Sequence, residues 1–182
     1  MANNQTYIAL LRGINVGGHH KLPMADLKKL MAKKGFKNTI TLLNSGNVIF
    51  EGAEEDIAQL EERMAAFLEE EFGFPVPTLI RSRKEIEQIL ASDPFKGIEV
   101  TKDTRLYLTF LRENPDQEFE LPLFSEDGYY QIIELQDRLI CSVLDVSGTK
   151  TTKGMDILEK LFGKDVTTRN WNTLLRIEKK LG

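Results

Sequence analysis

The order of short apolar runs and longer amphipathic segments in the first 81 residues constrains the fold more than any other feature of the sequence. Apolar runs of strand length alternate with two segments in which apolar residues recur every three or four positions, a spacing typical of helices. The predicted strands are 7–11, 39–43, 48–50 and 78–80, and the predicted helices run from Pro23 to Gly35 and over 57–72. This β-α-β-β-α-β order is that of the ferredoxin-like plait, the split βαβ pattern with an antiparallel sheet.

The first predicted strand is apolar on both of its faces. Tyr7, Ala9 and Leu11 would point to one side of the sheet, and Ile8 and Leu10 to the other. A strand without a polar face is typical of a sheet that is covered on both sides. We therefore expect both faces of this strand to be buried.

Two polar, glycine-bearing stretches follow the first and second strands. Their residues are Arg12, Gly13, Ile14, Asn15, Val16, Gly17 and Gly18, and then Asn44, Ser45, Gly46 and Asn47. In a plait the first and third strands are the central pair, so the first strand ends beside the turn that joins the second strand to the third. The two stretches are therefore predicted neighbours, and the first helix points its partly positive N-terminus at the same place.

The first stretch has the parts of an anion site. Gly13, Gly17 and Gly18 would let a ligand approach backbone N–H groups, and Arg12 and Lys21 would neutralise its charge. The stretch is neither a Walker loop nor the dinucleotide fingerprint, since no Gly-Lys-Ser/Thr or G-x-G-x-x-G follows the strand. The alternative is a tight connection from strand to helix that requires glycine for its conformation alone.

The second stretch is predicted to form a hairpin turn, with Gly46 or an asparagine at positive φ. Together with Asn15, the side chains of Asn44, Ser45 and Asn47 are candidates for orienting a ligand held against the first stretch. Asparagine and serine also bond the backbone of their own turn, and this structural role is the alternative.

Several familiar chemistries find no support in the sequence. Cys141 is the only cysteine, which excludes an intrachain disulfide and a cysteine-based zinc cluster, and its apolar surroundings in the chain indicate packing. His19 and His20 lack further ligands at metal-binding spacing, so no metal site and no cofactor are predicted. Histidine suits acid–base catalysis near neutral pH, but no nucleophile, base and orienting residue can be assembled around this pair.

Residues 82–182 are predicted to form a second α+β plait-like domain, after a first domain of residues 1–81. Ser82 and Glu85 match a capping box at the start of a helix. Thr167 or Thr168 is expected to cap the last helix. Between these two helices the predicted elements are strand 106–111, a hairpin of strands 129–135 and 139–144, and helix 155–162.

The start of that last helix is polar. Arg169 and Asn170 at a helix N-terminus would suit an anion, with Trp171 as a stacking face. Arg169 would join the first site if the helix folds back toward it. In the structural alternative Trp171 anchors the core and Thr168 caps the helix.

These motifs together resemble a bacterial family, the domain of unknown function 1697. The resemblance covers nearly the whole chain and rests on the stretch 12–18, on Asn44-Ser45-Gly46-Asn47-Val48, and on Thr168-Arg169-Asn170-Trp171-Asn172-Thr173. It implies two ferredoxin-like α/β domains. It implies no established activity, substrate or cofactor.

Charge and hydropathy argue against two classes of partner. The formal charge of −4 and the pI near 5.4 argue against a general binder of polyanions. The polar N-terminus is unlike a signal peptide, and no apolar run approaches the roughly 20 residues that span a bilayer. A cytoplasmic protein without membrane contact is expected.

The favoured function is a binding module for a small anionic or phosphate-bearing, nucleotide-like ligand at the loop and helix-start end of the first sheet. Single-stranded nucleic-acid binding across an exposed sheet is a less favoured alternative, because the net charge is negative and the first strand offers only Tyr7 as an aromatic. A structural protein that dimerises through a sheet is the third. The sequence leaves the oligomeric state and the presence of an enzymatic activity open.

Overall fold

A computed structural model describes residues 3–182 of the chain, without the side chains of residues 151–155. These residues form five helices and two antiparallel sheets, which confirms the predicted α+β class. The chain divides into a first unit of Met1–Gln88 with Arg176–Gly182 and a second unit of Ile89–Leu175. The sequence-based domain boundary between residues 81 and 82 stays a prediction.

The first unit has the strand order of a ferredoxin-like plait. In chain order its elements are β1 (Asn4–Leu11), α1 (Met24–Lys33), β2 (Lys37–Leu42), β3 (Asn47–Ala53), α2 (Ile57–Phe72) and β4 (Thr78–Ser82). The sheet runs β2-β3-β1-β4, with every neighbouring pair antiparallel. As predicted, the first and third strands form the central pair, and Leu10 lies opposite Asn47 at the end where the turn begins.

Capping residues mark both ends of α2, whereas α1 begins without a capping side chain. The Asp56 side chain accepts a hydrogen bond from the Gln59 N–H at 3.0 Å, and Gly73 ends α2 in the left-handed conformation. Pro23 stands at the N-cap of α1, and no side chain caps that helix. The first-turn N–H groups of α1 therefore have no capping side chain at their N-terminal end.

Both faces of β1 are buried, as its apolar pattern predicts. Tyr7, Ala9 and Leu11 belong to a core that includes the buried faces of α1 and α2. Ile8 and Leu10 on the opposite face are also fully buried. This strand therefore has no apolar face open to solvent.

The second unit repeats the strand order of a plait. The elements of the rest of the chain are α3 (Arg83–Ser92), β5 (Thr104–Leu111), β6 (Leu123–Phe124), β7 (Tyr130–Gln136), β8 (Leu139–Asp145), α4 (Thr151–Phe162), β9 (Val166–Asn170) and α5 (Trp171–Leu181). The second sheet runs β6-β7-β8-β5-β9, and its last four strands match the order of the first unit. The connection from β5 to β7 corresponds to the connection that carries α1 in the first unit, but its residues 112–129 hold the short strand β6 and no helix.

The prediction that Thr167 or Thr168 caps the last helix is wrong. Both residues lie in β9, where Thr168 pairs with Thr109 of β5 and their hydroxyls are 2.8 Å apart. β-Branched residues favour strands when a partner strand is present, and β5 supplies that partner. Asn170 takes the capping role instead, because its Oδ1 accepts the N–H of Asn172 at 2.9 Å.

One acidic residue of α2 lies on the buried side of the helix. Glu61 is buried, with its Oε1 2.7 Å from the Ile80 nitrogen, whose N–H it accepts, and 3.7 Å from Nη1 of the equally buried Arg81. Arg81 also donates to the Ile80 carbonyl at 2.8 Å. The Glu61 carboxylate thus joins helix α2 to strand β4. The helical spacing of apolar residues in α2 does not predict that this residue is buried.

We expect Glu61→Gln to lower the free energy of unfolding by about 3 kcal/mol, because it removes the negative charge that faces the buried Arg81 guanidinium. Urea denaturation measures the loss. Glu62→Gln, which removes the same charge from the exposed neighbouring position, is the control and should change stability by no more than about 0.5 kcal/mol. Equal effects of the two substitutions would show that the buried pair does not stabilise the fold.

Candidate functional site

The loop that follows β1 leaves the sheet beside the hairpin turn, as predicted. The Leu11 N–H donates to the Gly46 carbonyl at 2.9 Å, and the Arg12 N–H donates to the Pro77 carbonyl at 2.9 Å. These two bonds fix the start of the loop between the turn and the segment that leads into β4. The loop and the turn therefore form one surface at this end of the first sheet.

The side-chain amide of Asn15 joins the loop to the turn. Its Nδ2 donates to the Leu22 carbonyl at 3.0 Å and to the Asn44 carbonyl at 2.8 Å, and its Oδ1 accepts the Leu22 N–H at 2.8 Å. Both amide hydrogens are used in this way. Asn15 itself has a φ of 55°, in the left-handed region that asparagine tolerates better than most residues. Its amide thus holds the backbone together.

The tip of the loop is a small hairpin of its own. Gly17 and Gly18 have φ values of 59° and 79°, and the His19 N–H closes the turn on the Val16 carbonyl at 3.1 Å. Two successive positive φ angles are typical of a type I′ turn, where glycine is favoured. The Val16 side chain is 69% exposed at this tip. The first stretch thus needs its central glycines for conformation.

His20 contacts Phe74 and the backbone at the start of the loop. Its ring stacks on Phe74 with the centroids 4.6 Å apart, and its Nδ1 lies 3.1 Å from the Gly13 carbonyl. Because a carbonyl only accepts, this bond requires the proton on Nδ1. Phe74 lies far from His20 in the chain, beyond α2, and no sequence pattern indicates the contact. A packing role for His20 is therefore visible only in the fold.

The hairpin turn is packed tightly against the loop. Gly46 has a φ of 84°, and a Cβ at this position would lie 2.7 Å from Leu11 Cβ and 2.8 Å from Ile14 Cδ1. Asn47 is fully buried, and its Nδ2 donates to the Leu42 carbonyl at 3.0 Å and to Ser45 Oγ at 3.1 Å. Gly46 and Asn47 thus shape the turn, while Asn44 and Ser45 remain exposed.

The start of α1 completes the surface. Leu22, whose backbone Asn15 holds on both sides, is buried, whereas Lys21 beside it is exposed. The uncapped first turn of α1 follows directly and contains one acidic residue, Asp26. Arg12 at the other end of the loop is half-buried. The segment from Arg12 to the start of α1 thus contains both predicted cations and the exposed glycines.

Arg169, Asn170 and Trp171 belong to the second unit and are engaged there. Arg169 is 8% exposed and donates to Thr167 Oγ1 at 2.8 Å and to the Thr168 carbonyl at 3.0 Å. Its burial lowers the guanidinium pKa to about 10. Trp171 meets Phe95 edge-on with the ring centroids 5.4 Å apart. The packing role weighed for Trp171 thus has a concrete partner.

The described residues offer neither a reactive thiol nor a cluster of metal ligands. Cys141 is buried, and desolvation raises its thiol pKa to about 12, so the nucleophilic thiolate is disfavoured. Across residues 3–182, leaving aside the side chains of 151–155, no three His, Cys, Asp or Glu residues cluster as metal ligands would. In the same part of the chain, no helix has the length and apolar character needed to cross a membrane.

Comparison with known proteins identifies a family and a fold. A family model described as a protein of unknown function (DUF1697) matches residues 4–140. A solved structure of a conserved bacterial protein from Streptococcus pneumoniae is similar, with a TM-score of 0.74 and 24% sequence identity over 99% of this chain and 100% of that one. Among curated proteins none matches the chain significantly. At this identity the structural likeness bears on the fold alone.

Replacing Asn15 by alanine should lower the free energy of unfolding by about 2 kcal/mol, because the Leu22 N–H and two carbonyls lose their partner. Asn15→Gly removes the same bonds but relieves the left-handed φ, so its stability should lie between those of the wild type and the alanine variant. Thermal unfolding of the three proteins ranks them. A loss below about 0.5 kcal/mol for Asn15→Ala would contradict the bridging role.

Substitution of Gly46 by alanine should cost roughly 3 kcal/mol, since the new methyl group overlaps Leu11 and Ile14 and the residue must keep a positive φ. Gly13→Ala is a matched control, because Gly13 also has a positive φ of 70° but a Cβ placed there would meet nothing within 4 Å. We expect about 1 kcal/mol for this control. Urea midpoints that coincide for the two variants would show that the loop and turn are not in close contact.

Proposed function

The chain belongs to the DUF1697 family of proteins of unknown function, and we propose that the loop and helix-start end of its first unit binds a small anionic or phosphate-bearing, nucleotide-like ligand. The observation that carries this proposal is the Asn15 bridge, which holds an uncapped helix start and a glycine loop against the hairpin turn. A helix N-terminus with open N–H groups favours negative charge through its dipole and its unbonded donors.

The charges around this surface support an anion. Lys21 precedes the first turn of α1 and is exposed, and Arg12 lies at the opposite end of the same loop. Asp26 in the first turn has the opposite effect, because its carboxylate competes with an external anion for the helix dipole. The ligand would therefore be held by backbone donors together with two cations, against one nearby negative charge.

Backbone access supports the same ligand class. A Cβ at Gly13 or Gly18 would meet nothing within 4 Å, so the main chain at these positions is approachable from solvent. The amides of Asn15 and Asn47 serve the fold, and Asn44 and Ser45 are the exposed polar residues of the turn. Ser45 Oγ also accepts a hydrogen bond from Asn47. We assign these two residues to orienting the ligand, with Gly17, Gly46 and Asn47 shaping the loop and turn.

Burial in the first sheet disfavours the two alternatives. Single-stranded nucleic acid binding and dimerisation through this sheet both require an open face on its central strands. Ile8 and Leu10 of β1 and Ile49 of β3 are buried on one side, and the core with α1 and α2 covers the other. The loop end therefore offers a better surface for a small ligand than the sheet offers for a large one.

Titration of inorganic phosphate and of ATP, followed by NMR chemical shifts, tests the proposal. We expect saturable shifts at residues 13–24, with a dissociation constant of about 1 mM or tighter for at least one probe. Lys21→Gln should weaken binding by roughly two- to fivefold, and Asp26→Asn should strengthen it by a similar factor, since each changes one partly screened charge near the helix start.

Lys29→Gln, an exposed position farther along α1, controls for net charge and should leave the affinity within about twofold of the wild type. Absence of saturation by either probe up to about 10 mM, which corresponds to less than roughly 3 kcal/mol of binding free energy, would remove the proposal. An equal effect of Lys29→Gln and Lys21→Gln would remove the assigned location.

A further inference from the structure

The connection between β5 and β7 leaves a cavity in the second unit. It has a volume of about 440 Å³ and lies between residues 111–119 of this connection and the end of α4 with its following loop. A second cavity of about 400 Å³ adjoins the same connection on the side of the β7–β8 turn. Volumes of this size are in the range of small-molecule sites, roughly 300–1,000 Å³.

The connection beside this cavity differs in structure from the equivalent connection of the first unit. In the first unit the equivalent connection carries α1, whose Leu27, Leu30 and Met31 fill the core on the sheet. In the second unit residues 112–122 carry no helix, and α4 contributes to the core beneath. A long connection without regular structure in a compact unit is uncommon, and such segments are frequently functional.

The connection is nevertheless anchored along its length. The Arg138 N–H donates to Asn114 Oδ1 at 2.7 Å, which ties the connection to the β7–β8 turn. Phe119 packs on Phe162 of α4 with ring centroids 5.3 Å apart. Arg112 Nε lies 3.9 Å from Asp165 Oδ2, and both residues line the larger cavity. Three separate contacts thus hold the walls of this cavity in place.

The lining of the larger cavity combines aromatic rings with an excess of negative charge. Phe119 and Phe162 supply the apolar surface, and the charged residues of the lining are Glu113, Asp116 and Asp165 on the acidic side and Arg112 on the basic side. Of the three carboxylates, that of Asp165 is the one that faces the Arg112 guanidinium, at 3.9 Å. Aromatic faces and carboxylates together favour a positively charged group on an apolar body. An anion would meet repulsion from this lining.

We propose that this cavity binds a small organic cation, an amine or guanidine carried on an aryl or alkyl body. The apolar body would pack on Phe119 and Phe162, and the charged head would lie toward Glu113 and Asp116. The complementarity is opposite in sign to that of the anion site in the first unit, so the two sites would select different ligands.

Titration of the full chain at pH 7 with phenethylamine, its neutral isostere 2-phenylethanol and the anion phenylacetate tests the proposal. We expect NMR shifts at residues 112–119 to saturate with the amine at a dissociation constant of about 1 mM or tighter. The alcohol should bind at least about threefold more weakly, and the carboxylate should not saturate. Raising the salt concentration should weaken amine binding but not alcohol binding.

Three variants test where the amine binds. Asp116→Asn, an exposed change that should not affect folding, is expected to weaken amine binding by roughly two- to fivefold and to leave alcohol binding unchanged. Phe119→Leu should weaken the binding of both the amine and the alcohol. Glu126→Gln removes one charge from an exposed position of the second unit outside the cavity lining, and it should leave amine binding within about twofold of the wild type.

Three results would overturn the proposal. The first is the absence of saturable amine binding up to about 10 mM. The second is equal affinity for the amine and the alcohol, which would show that charge is not recognised. The third is a loss of amine affinity in Glu126→Gln as large as that in Asp116→Asn. That result would show that the affinity depends on the net charge of the protein and not on a carboxylate of the cavity.

Discussion

The geometry of the loop end of the first unit depends on one side-chain amide. Asn15 bonds the N–H and the carbonyl of Leu22 and the carbonyl of Asn44, so it fixes where α1 begins relative to the hairpin turn. A loop of this length with several exposed glycines would otherwise lose considerable conformational entropy on ordering. The amide offsets that cost and tolerates the left-handed backbone of its own residue. The proposed anion site is a consequence of this fixed geometry.

The two units show how one strand order supports two different surfaces. Both sheets place four antiparallel strands in the plait order, but the first crossover holds α1 in one unit and an anchored irregular connection in the other. Where the helix is present, its uncapped start follows the glycine loop and favours negative charge. Where it is missing, residues 112–122 border a cavity with carboxylates and aromatic rings. The two units thus share a strand order, and they differ in the connection that follows the first strand of each plait.

Patterns that act over a few residues were predictable from the sequence, and so was the β1–β3 pairing that the plait order requires. Other contacts between distant parts of the chain were not. The Ser82–Glu85 capping box forms as predicted, with reciprocal bonds of 2.8 and 3.2 Å, because all its partners lie within three positions. Thr168 fits a helix cap and a strand equally well, and pairing with β5, a strand far earlier in the chain, decides between them. The stacking of His20 on Phe74 likewise depends on distant parts of the chain meeting in the fold.

The NMR behaviour of the Asn15 side-chain amide in the wild-type protein measures most directly whether this bridge forms. The two bonded Nδ2 hydrogens should exchange slowly with solvent and show nuclear Overhauser contacts to Leu22 and to Asn44. The Leu22 backbone N–H should exchange slowly as well. Nδ2 hydrogens that exchange rapidly with solvent and show no contact with Leu22 or Asn44 would give the opposite answer, because the loop and the turn would then lack the bond that joins them.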